Sequence, residues 1–399
     1  MEEGTVVVTG TNANSQVPVG APADLAGASF AATAEAEDFR LYTPLLATVA
    51  AYLPWVILGF ALAATVIFGA DVMFISGLLA ASLAGFLVSA LGSEVPEVLA
   101  KIWGRQLLAT RGQTGVGLDT QFREFLARFE RTANSHWSWV LGFFFAVAAV
   151  PQIFLSSLIP DPLGVYRRAG LGGLVSVFVD WSLLGLLLVG VVGFLLGLLA
   201  WRMGCVGFYV HRLGQEFDCR VQSQHPDGAG GLGVLGELCF LNALIVIVPS
   251  TFLGAWRILI ANIPAFRARY DYLTTWFDGL LVVTFFLAII AFVIPLYGVH
   301  RAMSREKTRR QRDLDLIGNE LDRLTQRIRG AAEAGDSAAV GTLTDQRSVL
   351  AAVYASEQDV PTWPVNTSLT RKYLVAQIVP LLSLSKVVDA VTSRFLGSL

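Results

Sequence analysis

The sequence predicts an all-α membrane protein, a polytopic bundle of about six spanning helices with a cytoplasmic helical hairpin. Three observations predict it: long uncharged apolar runs, a one-sided distribution of basic residues, and a coiled-coil stripe after the last run. Composition sets the frame. Hydrophobic residues make up 54% of the chain and charged residues only 15%, with a mean hydropathy of +0.59. Soluble domains carry roughly 25% charge, so this chain has too little polar surface to cover itself in water.

Six runs are about as long as the 20 residues a helix needs to cross the hydrocarbon: 44 to 69, 72 to 92, 138 to 159, 174 to 201, 238 to 261 and 279 to 299. Their backbone groups must be satisfied within each segment, which selects helices; the alternating polarity of barrel strands is missing. The first 43 residues are polar, small and punctuated by Pro and Gly. With no basic region ahead of an apolar core, they are expected to form a mobile tail rather than a cleaved signal.

Lys and Arg set the orientation. The tail holds one, loop 94–136 six, loop 202–237 three and residues 300–312 six. The alternate connections hold none near Asp71, two in 161–173 and two in 262–275. The basic side is expected to face the cytoplasm, with both termini there. The opposite face carries Asp71, Asp161, Asp271 and Asp278 on short loops. A preponderance of Arg over Lys, with abundant Ala and Gly, suggests a GC-rich prokaryotic genome and hence an inner (plasma) membrane.

After the sixth run, Leu314, Ile317, Leu321, Leu324 and Ile328 recur at alternating spacings of three and four, and Val340, Leu343, Leu350, Val353 and Tyr354 give a second face beyond Gly335. Residues 300–358 therefore read as an antiparallel hairpin, suited to self-assembly or to packing on loop 94–136. In that loop, Phe122, Phe125, Leu126 and Phe129 share one helical face. The last part, 359–399, has an uncharged stretch from Tyr373 to Ser385 broken by Pro380. It is expected to be interfacial or re-entrant.

Residues His225, Asp227, Gly228, Gly230, Gly231 and Gly233 stand directly ahead of the fifth run. Their glycines permit positive φ and close backbone approach. Such a loop can seat an anion on backbone amides at a helix N-terminus, or it can be a tight turn in which Asp227 caps the helix. It contains GxGxxG, but membrane segments flank it where a dinucleotide site needs a βαβ unit. The segment HPDGAGGLG resembles a loop of uncharacterised bacterial multi-pass membrane proteins. That resemblance implies a membrane protein and no particular activity.

Asp180 and Arg257 are the only formal charges within the six runs, at matching depth near the outer side, where they suit a structural ion pair or a permeation path. Gly190, Gly193 and Gly197 suit close helix approach, the last two as a GxxxG pair. Cys205, Cys219 and Cys239 match no zinc spacing and are expected to be reduced thiols. No catalytic constellation, metal set or cofactor motif is present in the sequence. The expected function is an oligomeric channel or pore for small ions, cation-biased by its acidic outer loops and gated from the cytoplasm. The expected partners are the lipid bilayer, further copies of the chain and small ions, with no nucleic acid. A secondary transporter, a signalling or scaffold protein and a lipid-acting enzyme are the alternatives.

Overall fold

The computed structural model describes residues 36, 38–68, 72–111, 117–154, 182–222, 225–358 and 360–385. Helices α1 (Pro44–Phe68) and α2 (Val72–Gly104) pack as a pair, as do α4 (His136–Phe154) and α5 (Ser182–Glu216). Helix α6 (Gly233–Asn262) packs between α2 and the long α8 (Thr274–Glu333), and α8 also packs on α5. Among the described residues, four helices are long and apolar enough to cross a membrane, at Ile75–Gly104, Gly193–Glu216, Gly233–Asn262 and Phe277–Glu333. Pro44–Gly59 is a shorter apolar helix. The protein is a membrane protein. Val283, Phe286 and Ile290 on α8 are exposed, as side chains facing lipid should be, and Trp139, Val140, Phe143 and Phe144 on α4 are exposed too.

The helices do not stop where the apolar runs stop. Helix α2 continues past residue 92 to Gly104, and α5 past residue 201 to Glu216. With α3 (Leu118–Ala133) and a two-stranded ribbon, these extensions build a cap on the basic side. The ribbon, β1 (Leu108–Thr110) against antiparallel β2 (Phe217–Cys219), is a small addition to an otherwise helical architecture, and its three-residue strands are too short to leave an alternating pattern in the sequence. Phe122, Phe125, Leu126 and Phe129 of α3 are all buried, as their shared face predicts. Phe122 stacks on Trp103 with centroids 4.5 Å apart, and Phe129 on Tyr209, also at 4.5 Å.

Arg202, counted above among the loop cations, is instead buried within α5. Its guanidinium donates to Leu41 O at 3.2 Å, Leu198 O at 3.2 Å and Asn134 Oδ1 at 3.1 Å. One side chain thereby fixes the chain ahead of α1 and the turn after α3 to the same helix. The donors of a buried arginine are satisfied here by neutral oxygens rather than a carboxylate.

Helix α8 is a single 60-residue helix, so the sixth apolar run and the first arm of the hairpin are one rod, about 90 Å long. Leu314 and Leu324 are its best buried positions beyond the cap, on the stripe read from the sequence. The turn uses Gly335 at φ +75°, a conformation glycine adopts without strain, and α9 (Ser337–Gln358) returns along α8.

From the hairpin the chain recrosses the cap and enters α10 (Thr367–Ala376), and residues 378–385 continue it as a further helical stretch. A Cβ on Gly236 would lie 2.2 Å from Pro364 O, and one on Gly254 would lie 2.7 Å from Ser383 Oγ. Gly236 and Gly254 are 18 residues apart on one face of α6, about five turns or 27 Å. Residues 364–385 therefore follow α6 from its basic end nearly to its other end. Tyr373 stacks on Phe292 of α8 at 4.2 Å, and Leu384 joins the cluster of Trp256, Tyr270 and Phe277 at the far end.

Candidate functional site

The glycine loop is a junction on the hairpin side of the bundle. Gly228, Gly230 and Gly231 have φ of +65°, +68° and +88°, which turns the backbone amides of the loop inward. The Asp227 carboxylate sits at the centre of that curl. Its Oδ1 accepts from Ala229 N at 2.9 Å and Gly231 N at 3.0 Å, and its Oδ2 accepts from Gly233 N, the first amide of α6, at 3.0 Å. His225 Nδ1 lies 2.9 Å from Oδ1 and donates to it in the tautomer protonated there. The anion held by these amides is thus the protein's own carboxylate. Burial raises the Asp227 pKa, but the amide hydrogen bonds together with His225 outweigh it and hold the carboxyl below its ordinary range.

Neighbours from three elements close on this loop. Arg105 at the end of α2 donates to Gly231 O at 3.4 Å. Asn366 donates through Nδ2 to Asp227 O at 3.3 Å, while its Oδ1 accepts from Leu369 N at 2.8 Å and caps α10. His300 of α8 stacks on Trp363 at 4.1 Å, and its Nδ1 is 2.7 Å from Thr362 O. A Cβ on Gly230 would meet Val221 Cγ1 at 2.2 Å and Pro361 Cγ at 3.3 Å. The loop is the seat on which the chain returning from the hairpin crosses to α6. His225, Asp227 and the glycines were legible as a unit in the sequence; Asn366, Trp363 and His300 were not, because they lie far away along the chain.

At the other end of α6, Arg257 Nε donates to Asp278 Oδ1 of α8 at 2.6 Å, with 12% and 22% of the two side chains exposed. Asp180, the partner expected from the sequence, lies outside the described residues, as do Asp71 and Asp161. Asp271 is exposed in the 3-10 turn (Asp271–Leu273) that follows α7 (Pro264–Tyr270). Asp278→Asn leaves the guanidinium half-sequestered without its counterion and is expected to lower stability by about 2 kcal/mol. The double variant Arg257→Gln/Asp278→Asn is expected to recover part of that loss in thermal unfolding in detergent.

Between these ends, three oxygens, Asn242 Oδ1 and Ser250 Oγ of α6 and Gln377 Oε1 of the C-terminal segment, are buried without a hydrogen-bond partner among the described residues. Buried polar atoms are nearly always paired, so three open ones beside a single helix are unusual. Gly197 closes on α4, where a Cβ would lie 2.6 Å from Leu141 O and 2.7 Å from Gly142 Cα. It serves an internal helix contact. Gly190 and Gly193 precede it on α5, and Gly193 is buried.

Cys205, Cys219 and Cys239 are free and buried, and burial pushes the Cys219 thiol up to about 12. A maleimide at neutral pH is expected to label them only as the protein unfolds, which makes them internal reporters of melting. Among the described residues no three His, Cys, Asp or Glu side chains group as metal ligands. Compared with family models, curated proteins and solved structures, the chain matches none of them.

Proposed function

We propose that the chain assembles into an oligomeric channel of the bacterial inner membrane, conducting small ions along a polar path beside α6 and controlled from a cytoplasmic cap. The observation that carries this reading is the trio of unpaired oxygens on Asn242, Ser250 and Gln377. Polar oxygens left open at membrane depth suit water or a partly dehydrated cation, and ion paths are lined by such groups.

Two further features support control from the cap. Helices α6 and α8 are tied at one end by Arg257 and Asp278, and at the other by the glycine loop with the chain returning from the hairpin. Because α8 is continuous with the hairpin, a movement of the hairpin is transmitted to the membrane part as a rigid rod. Leu316, Val349 and Val353 stay exposed on the hairpin, a surface that a second copy can cover. The one-sided basic residues support a cytoplasmic hairpin and cap, and the apolar runs support about six spans. The path of residues 364–385 along α6 supports an additional crossing, with the C-terminus then on the side opposite the hairpin.

The test is ion flux from liposomes containing the purified protein. Cation efflux is expected, reduced at least several-fold by Ser250→Val or Gln377→Leu. No flux from wild-type protein under any applied voltage or cation gradient, with the oligomer intact, contradicts the reading.

A further inference from the structure

We propose that the outer face of α10 holds an anionic phospholipid, its phosphate between Arg371 and Lys372 and its acyl chains along the apolar surface beyond them. The site is an open groove of about 560 Å³ lined by Thr367, Ser368, Arg371, Lys372 and Val375. Their spacing puts all five on one side of the helix, two hydroxyls and two cations ahead of an aliphatic side chain.

Depth decides what fills it. His300 ends the apolar part of α8 and stacks on Trp363, whereas Phe292, eight residues deeper, stacks on Tyr373. Tyr373 therefore lies about 12 Å further into the bundle than Trp363. Arg371 and Lys372 stand just short of that level, exposed, and neither forms an ion pair with a described residue. A cation there reaches the headgroup layer by extending its stem, and it draws an anion to itself.

Past the basic pair the same exposed side is apolar from Leu374 to Leu382. Leu374, Ile378, Leu381 and Leu382 are 61%, 47%, 57% and 57% exposed, a surface continuous with the lipid-facing helices. Its length suits an acyl chain. A free phosphate satisfies only the basic end of the groove, whereas a phospholipid satisfies both ends. The proposal rests on the membrane placement of residues 364–385 and not on ion conduction, so a chain that conducts nothing can still carry the lipid.

The test is native mass spectrometry of the full chain in detergent, titrated with phosphatidylglycerol or phosphatidylcholine of equal chain length. Wild type is expected to retain phosphatidylglycerol preferentially. Arg371→Gln/Lys372→Gln is expected to lose that lipid roughly thirtyfold, the combined attraction of two basic residues for an anionic surface. Each single variant loses part of it, and Arg371→Lys/Lys372→Arg retains it. Elution volume and melting temperature should stay at wild-type values, since both side chains are exposed. Equal retention of phosphatidylglycerol by wild type and the double Gln variant overturns the proposal, as does equal affinity of wild type for the two lipids. Displacement of the lipid by millimolar inorganic phosphate would also overturn it, showing a phosphate site rather than a lipid site.

Discussion

Gly298→Ala is expected to prevent stable assembly of the bundle, with a loss of about 4 kcal/mol or outright failure to accumulate as folded protein. A Cβ at this position of α8 would lie 2.1 Å from His211 O, and one at the facing Gly214 of α5 would lie 2.3 Å from both C and O of Gly298. Both obstacles are helix backbone atoms, so no side-chain rotation relieves them. The helices must part instead. Parting them also disturbs the contact of His211 Nδ1 with Ile294 O at 2.9 Å and the bond from Arg305 Nη2 to Gly214 O at 2.9 Å. Overpacking inside a tight core usually costs about 1–3 kcal/mol, and an immovable backbone contact at a helix crossing exceeds that range. Gly59→Ala is the matched control. Nothing lies within 4 Å of its added methyl, and alanine in a helix interior is expected to stabilise by up to about 1 kcal/mol. Thermal melts followed through the buried thiols measure both variants on one scale.

Asp227→Ala is expected to be the next most damaging change, at about 3 kcal/mol, because it strands the amides of Ala229, Gly231 and Gly233 in a curl with no acceptor. Asn retains one oxygen and should recover part of the loss. The same carboxylate gives wild-type stability a definite pH dependence. Its folded pKa lies below the unfolded value, so the unfolded chain binds the proton more tightly. The contribution of Asp227 is therefore complete above the unfolded value of about 4 and disappears as pH falls through the lower folded value. Melting temperature against pH should show an acid-side decline that is shallower in Asp227→Ala. An unchanged acid limb in that variant would show that the carboxylate is not what holds the loop.

Much of this architecture is legible in the sequence wherever a single helix carries the signal. The buried face of α3 follows from four apolar residues at helical spacing, and the hairpin from the stripe running Leu314 to Ile328. What escapes is pairing between distant segments. Gly214 and Gly298 read as two ordinary helix glycines until α5 and α8 are known to cross there. The ribbon is formed by three-residue strands separated by more than 100 residues, too short for any periodic pattern.

Arg257 shows both sides of this. Its need for a counterion was readable, but Asp278, placed with the outer loop acids, is the observed partner. The short connection between α6 and α8 already puts the two at equal depth. The C-terminal segment left a comparable trace in α6, where Gly236 and Gly254 lie on one face. Pro380 and the shortness of the apolar stretch concealed it, since the part packed on α6 begins at Pro364 and includes polar and basic side chains.

Substituted-cysteine labelling with a membrane-impermeant maleimide tests most directly how the two ends of this bundle are placed across the membrane. Ser337→Cys on the hairpin should label only from the cytoplasmic side, while Thr275→Cys and Ser385→Cys should label only from the opposite side. Labelling of Thr275→Cys from the hairpin side would contradict the bundle itself, and labelling of Ser385→Cys from that side would contradict the final crossing.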